Sequence, residues 1–227
     1  MEIPFVNLKR QYASIKEEID AAIQKVVESQ YFTMGPELAN FGQQFAQYLG
    51  TKFVVGVDNG TDGLELALRA LDIGPGDEVI TQANIHVATI VAIKEAGATA
   101  VLADIDPDTH QIDIEQVKKK ITSKTKALMP VHLYGAPCQI DQFVQLANEY
   151  SLHLIEDACQ AHGSKFKDKR LGAYGDIGVF SFYAGKNLGA YGYGGAICTS
   201  NSEIDQRLRQ LRNFGEEKKI LPSHHWH

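Results

Sequence analysis

Apolar residues change their spacing along the chain in a way that sorts it into elements. Between Leu8 and Ser29 the positions Ile15, Ile19, Ile23, Val26 and Val27 recur every three or four residues, which predicts an amphipathic helix. After Gly35-Pro36 a second stripe, Leu38, Phe41, Phe45 and Leu49, predicts another helix that Gly50 stops. From residue 53 short β-rich runs at 53–57, 78–81, 100–103, 127–131 and 153–156 alternate with helical stretches near 61–71, 86–97, 112–121 and 140–150. Parallel neighbours need crossover connections of this length, so the expected core is α/β, a mostly parallel sheet with helices on both faces.

Past Asp157 the rhythm tightens. Residues 165–170 read as a charged hairpin or loop, 177–182 and 196–199 as strands close enough in sequence to pair antiparallel, and 203–213 as a helix. Neither repeat nor linker interrupts the pattern. The expected division is an N-terminal helical segment over 1–30, one large domain over 31–215 and a divergent tail over 216–227.

Composition narrows the function classes. With 227 residues and 44 % apolar content the chain suffices for one large domain, or one domain plus a fragment of a second. A net charge of −6, from 22 basic and 28 acidic side chains, gives no electrostatic reason to expect nucleic acid or an anionic membrane as partner. Cys138, Cys159 and Cys198 are odd in number and lack a CxxC pair, so neither a disulfide framework nor a zinc site is suggested. No stretch approaches the roughly 20 apolar residues of a membrane helix, and the N-terminus has no signal-peptide core. A soluble, cytoplasmic protein is expected.

Three motifs carry chemistry. Asn59-Gly-Thr-Asp-Gly-Leu lies between a strand and a helix, where free N–H groups and the helix dipole favour an anion; Gly60 permits close approach and the Thr61 hydroxyl adds a donor. Taken alone, the same residues are also explained by Thr61 as a plain N-cap. Asp157 ends a strand, at the carboxyl edge where α/β sheets place ligands, and an acid there can hold a protonated pyridine nitrogen. Rossmann-type and metal sites use such an acid as well. Lys186 sits between an apolar strand and the glycines 189, 192, 194 and 195, a setting in which a lysine amine becomes a nucleophile toward a carbonyl. An amine, an acid and an anion cradle in this order are the fittings of pyridoxal 5'-phosphate. A nicotinamide-binding Rossmann reading is poor, because no Gly-x-Gly-x-x-Gly follows the first strand.

Six further blocks extend the pattern: Gly-Pro-Gly-Asp-Glu-Val-Ile at 74–80, Asp-Ile-Asp-Pro-Asp-Thr at 104–109, Pro-Val-His-Leu-Tyr-Gly at 130–135, Glu-Asp-Ala-Cys-Gln-Ala-His-Gly at 156–163, Phe-Ser-Phe-Tyr-Ala-Gly-Lys-Asn-Leu-Gly at 180–189 and Leu-Arg-Asn-Phe-Gly at 211–215. On these residues the chain, from about Ile3 to Gly215, resembles the sugar aminotransferases of the DegT/DnrJ/EryC1/StrS family. The resemblance implies the type I PLP-dependent transferase fold, a three-layer α/β/α large domain with a mixed, mostly parallel sheet, its small C-terminal domain missing from this chain. It implies Lys186 as the lysine of the internal aldimine and Asp157 as partner of the ring nitrogen, with Gln160 near the phenolic oxygen. Ser181, Gly60, Thr61 and Asp62 would hold the phosphate, Asp62 through its backbone N–H, and His86 would occupy the position of a ring stacked on the cofactor.

The implied reaction moves an amino group from glutamate to a keto group of a nucleotide-linked deoxysugar, a step of amino-sugar biosynthesis for polysaccharide, O-antigen or antibiotic, in a homodimer. A related dehydratase branch carries histidine where Lys186 stands; an inactive fragment serving only as a binding protein is the other alternative. Departures from the family are Ala184, where proline or threonine is common, Tyr193, where an acid usually stands, and the divergent residues after Gly215. Loss of a second domain would expose an apolar surface. His162 belongs to the 156–163 block and is read either as a site residue or as structural. His224, His225 and His227 are read as a tail rather than a metal cluster.

Overall fold

The computed structural model describes Pro4 and residues 6–216. Two helices open the chain, α1 (Leu8–Ser29) and α2 (Pro36–Leu49), the second starting at Pro36 and ending at Gly50 in the left-handed conformation. Helix α1 contains no buried residue, whereas α2 buries Phe45, Ala46 and Leu49.

Four β/α steps and a fifth strand follow: β1 (Phe53–Val57) to α3 (Gly60–Ala70), β2 (Glu78–Gln82) to α4 (Val87–Glu95), β3 (Thr99–Ala103) to α5 (Ile114–Lys118), β4 (Thr125–Leu128) to α6 (Ile140–Tyr150), and then β5 (His153–Asp157). The two-residue strands β6 (Lys165–Phe166) and β7 (Lys169–Arg170) form the charged hairpin, and β8 (Ile177–Ser181), β9 (Gly195–Thr199) and α7 (Ser202–Arg212) complete the order. Seven strands make one sheet in the order β1-β9-β8-β5-β4-β2-β3, in which β9 runs against both neighbours and the other pairs are parallel.

Alternate strand residues divide two cores. Val55, Val79, Ala127, Ile155, Val179 and Ile197 pack with α3, α4 and α7, while Val54, Ile80, Leu128, Leu154, Phe180 and Cys198 pack with α2, α5 and α6. This is the three-layer α/β/α arrangement. Three boundaries differ from the sequence reading. Helix α5 shrinks to five residues, and β4 stops at Leu128 although Val131 bridges Asp157 beyond it. Helix α3 is capped by Asn59 rather than Thr61, since the extended Asn59 accepts the Asp62 N–H.

Among the described residues no helix is long and apolar enough to cross a membrane, and no group of three or more His, Cys, Asp or Glu is placed to hold a metal ion. The tail histidines at 224, 225 and 227 lie outside the described residues.

Candidate active site

Parallel strands β1, β2, β5 and β8 all release their chain at one sheet edge, and every motif residue lies on the segments that leave it. Asp157 is the last residue of β5 and Ser181 the last of β8; Asn59 and Gly60 follow β1, and His86 follows β2. The ligand edge of a doubly wound sheet is built in this way.

The phosphate-type turn is assembled by local chemistry. Asn59 Oδ1 accepts the Asp62 N–H at 2.9 Å, its Nδ2 donates to the Asp62 carboxylate at 2.7 Å, and its own carbonyl accepts the Gly63 N–H. That leaves the Gly60 and Thr61 N–H groups without a hydrogen bond among the described residues, at the positive end of an 11-residue helix. Burial pushes the Asp62 carboxyl up, against the Asn59 bond that holds it down. Asp62 keeps its expected place in the turn, but its N–H is already engaged.

Gly60 is pressed against the sheet edge. A β-carbon there would lie 2.7 Å from Cys159 Sγ and 2.9 Å from Ser181 Cβ, so the N-terminus of α3 reaches Ser181 and the 157–160 segment directly. From the other side Gly195 of β9 faces Asn59, with 2.5 Å between a would-be β-carbon and the Asn59 carbonyl carbon.

Asp157 is 4 % exposed. Its Oδ1 accepts the Cys159 N–H at 3.1 Å and its Oδ2 accepts the Thr89 hydroxyl at 2.8 Å. Glu156, next to it, points to the other face as extended geometry requires and is fully buried against His132 and the 172–175 turn. Lys186, half-buried, lies in the loop joining β8 to β9, where its N–H donates to the Tyr183 carbonyl at 2.8 Å. Burial and then Asp157 raise the Cys159 thiol well above its ordinary range while the Lys186 charge opposes them, and the same charge joins burial in lowering His162. Asp157, Gly60 and Ser181 thus meet at Cys159.

Gln160 fixes its side-chain oxygen on the Tyr134 N–H at 2.8 Å, which leaves its amide nitrogen as the donor. His86 is exposed and caps α4, its Nδ1 accepting the Ala88 N–H at 3.2 Å. His162 packs between Phe180 and Phe182, both ring centroids 5.5 Å away, and neither ring nitrogen has a hydrogen-bond partner. Thr89 was not singled out from the sequence. Its signal was a polar residue on the sheet-facing side of an otherwise apolar helix. Beside the turn opens a cleft of about 1390 Å³ with Asn59, Asp62, Phe182, Leu188 and Gly195 among its lining. Exposed Phe32, Tyr193 and Phe214 add an apolar rim.

The profile of the DegT/DnrJ/EryC1/StrS aminotransferase family matches residues 13–225. The chain belongs to this family. It is 48 % identical over 217 residues to the dTDP-3-amino-3,6-dideoxy-alpha-D-galactopyranose transaminase of Aneurinibacillus thermoaerophilus, an alignment covering 96 % of this chain and 60 % of the relative. Its fold matches the crystal structure of Streptomyces venezuelae DesV in complex with a ketimine intermediate, with a TM-score of 0.94, 46 % identity and coverage of 96 % and 59 % of the two chains. It also matches GDP-4-keto-6-deoxymannose-3-dehydratase with a trapped PLP-glutamate geminal diamine, at a TM-score of 0.81, 33 % identity and coverage of 86 % and 52 %. The chain spans 57–60 % of the length of the curated relatives that head the comparison.

Proposed function

We propose that this chain carries the cofactor-binding half of a nucleotide-sugar aminotransferase, which uses pyridoxal 5'-phosphate to move an amino group from glutamate to a keto group of a nucleotide-linked deoxysugar. The observation that carries the reading is the convergence of the Asp157 carboxylate, Ser181 and a helix N-terminus with free N–H groups on Cys159, at the start of the β8–β9 loop that carries Lys186. The residues suit the cofactor: a cradle closed to any side chain at position 60, a carboxylate with lone pairs to spare, and an amine on the loop that leaves Ser181.

Bound there, pyridoxal phosphate supplies an electron sink for charge developing on the donor's α-carbon. The Gly60 and Thr61 N–H groups and the Ser181 hydroxyl hold the phosphate, with Asp62 shaping the turn through Asn59. Asp157, screened from water, keeps a proton on the ring nitrogen. Gln160, its amide nitrogen left as donor, would serve the phenolic oxygen, and His86 would supply the stacking ring. Lys186 would supply the amine that holds the cofactor and, when free, the acid and base that moves the proton at the donor's α-carbon. Nucleotide-sugar transaminase relatives support the substrate class, and a lysine at 186 in place of the dehydratase histidine supports transamination. Residues 31–215 form the cofactor domain, and the working enzyme is a cytoplasmic homodimer.

The test is direct. Wild-type protein mixed with pyridoxal phosphate is expected to give a yellow, borohydride-reducible adduct at Lys186, and Lys186→Ala to give none. Persistence of the same adduct in the alanine variant overturns the assignment. Single-turnover conversion to pyridoxamine phosphate by glutamate then separates an active chain from one that binds cofactor only.

A further inference from the structure

Asp157 owes its orientation to a residue on a different layer. Thr89 is 2 % exposed, lies one turn beyond His86 on α4 and gives its hydroxyl proton to Asp157 Oδ2 at 2.8 Å across 68 residues of sequence. The other carboxylate oxygen is held from its own loop, by the Cys159 N–H at 3.1 Å. With one donor on each oxygen the carboxylate plane is fixed, and a lone pair stays free for a third donor. An Asp carboxylate with only the Cys159 contact would rotate about its side-chain bonds and present no fixed acceptor. The two donors belong to separate elements, α4 and the loop after β5, so this geometry exists only when the helix is docked on the sheet.

We infer that Thr89 is a positioning residue for the Asp157 carboxylate, holding it in the orientation in which it meets the cofactor's ring nitrogen; the inference rests on the pyridoxal phosphate reading above. The donor is a hydroxyl, so it holds the acid without adding a competing charge. A cation in its place would draw the carboxylate away from a pyridinium. The same helix carries His86, so α4 positions the expected ring-stacking side chain and the acid's support together. The Cys159 thiol also faces this acid, but its geometric hydrogen bond, at 3.8 Å, goes to the Val179 carbonyl, and a thiol is a weaker donor than the Thr89 hydroxyl.

The experiment uses the full 227-residue chain. Thr89→Val keeps the shape and removes the hydroxyl; Thr89→Ser keeps the hydroxyl. A hydrogen bond to a charged group contributes enough that its loss should weaken pyridoxal phosphate binding about tenfold or more, and the absorbance spectrum of the bound cofactor should shift. Serine should return both to within about twofold of wild type. In an Asp157→Ala background the further change Thr89→Val should cause no additional loss, because the hydroxyl acts only through the acid. Should valine prevent folding, Thr89→Ala against Thr89→Ser is read in the same way. Wild-type affinity and spectrum in the valine variant, equal losses in valine and serine, or full additivity with Asp157→Ala overturns the role of Thr89. A wild-type chain that takes up no pyridoxal phosphate at all sinks the functional reading instead.

Discussion

Gly60 and Ser181 approach so closely that a β-carbon on the glycine would stand 2.9 Å from the β-carbon of the serine. The contact joins the first turn of α3 to the end of β8, and so brings a helix N-terminus with free N–H groups to the strand that leads into the Lys186 loop. Gly60→Ala is expected to push these elements apart. Overpacking of this kind costs about 1–3 kcal/mol, or several degrees of melting temperature in a chain of this size. Cofactor affinity should fall about tenfold or more, because the free N–H groups move with the turn. Titration of the cofactor absorbance measures this, and unchanged affinity would show that the turn does not hold the phosphate.

Glu156 is the structural twin of Asp157. Its Oε1 accepts the Tyr174 and Gly175 N–H groups at 2.6 and 2.8 Å, and its Oε2 accepts the Gly172 N–H at 2.8 Å and lies 3.0 Å from His132 Nε2. The Cys138 N–H points at His132 Nδ1, which puts the ring proton on Nε2, facing the acid. Glu156→Gln places an NH2 group against donors and is expected to cost about 3 kcal/mol, lowering the melting temperature by roughly 6–12 °C. A calorimetric scan decides. Asp157→Asn, whose acid has only two donors, should melt closer to wild type.

His162 makes a pH prediction. Burial first, and the Lys186 charge next, lower its proton affinity, with the nearby Ser181 backbone opposing but not at hydrogen-bond geometry to either ring nitrogen. The unfolded chain therefore binds this proton more readily than the folded one as pH falls below about 6.5, so folding stability should decline on acidification through that window. His162→Phe fills a site already lined by Phe180 and Phe182 and removes the titration. Melting curves from pH 7 down to pH 5 should slope less in the variant; equal slopes would assign the decline to other groups.

Asn59 serves twice, as cap of α3 and as partner of the Asp62 carboxylate. Asn59→Ala should cost about 1 kcal/mol, the usual worth of an N-cap. It should also raise the Asp62 carboxyl further, since the bond that opposes its burial is gone. Chemical denaturation gives the first quantity and NMR titration of the carboxyl the second.

Much of the architecture was legible in the pattern of apolar positions. The run Ile177–Ser181 is buried throughout and the stripe of α2 is buried at Phe45 and Leu49 and half-buried at Leu38 and Phe41, because periodicity records which face of an element turns inward. The short connection between β8 and β9 anticipated an antiparallel pair, and the 165–170 segment anticipated a hairpin. Element ends were less legible. The cap of α3 fell on Asn59 because its side chain, two residues before Thr61, reaches the Asp62 N–H in extended backbone.

Thr89 marks the boundary of what a linear reading reaches. Within Val-Ala-Thr-Ile-Val-Ala-Ile-Lys-Glu it is one polar residue in an apolar helix, and nothing in that stretch names its partner 68 residues later. His162, likewise, keeps its place in the 156–163 block, and only packing shows its ring between two phenylalanines with both nitrogens unpaired.

The sequence by itself determined the α/β class, the order of elements and the identity of the motif residues, because propensity, periodicity and turn chemistry act over a few neighbouring positions. Only the tertiary structure decided which donors each carboxylate of the Glu156-Asp157 pair meets, and that the Thr89 hydroxyl is one of those on Asp157. Strand parity turns adjacent side chains to opposite faces, but what waits on each face is set by helices and loops distant in sequence that sheet packing brings into contact.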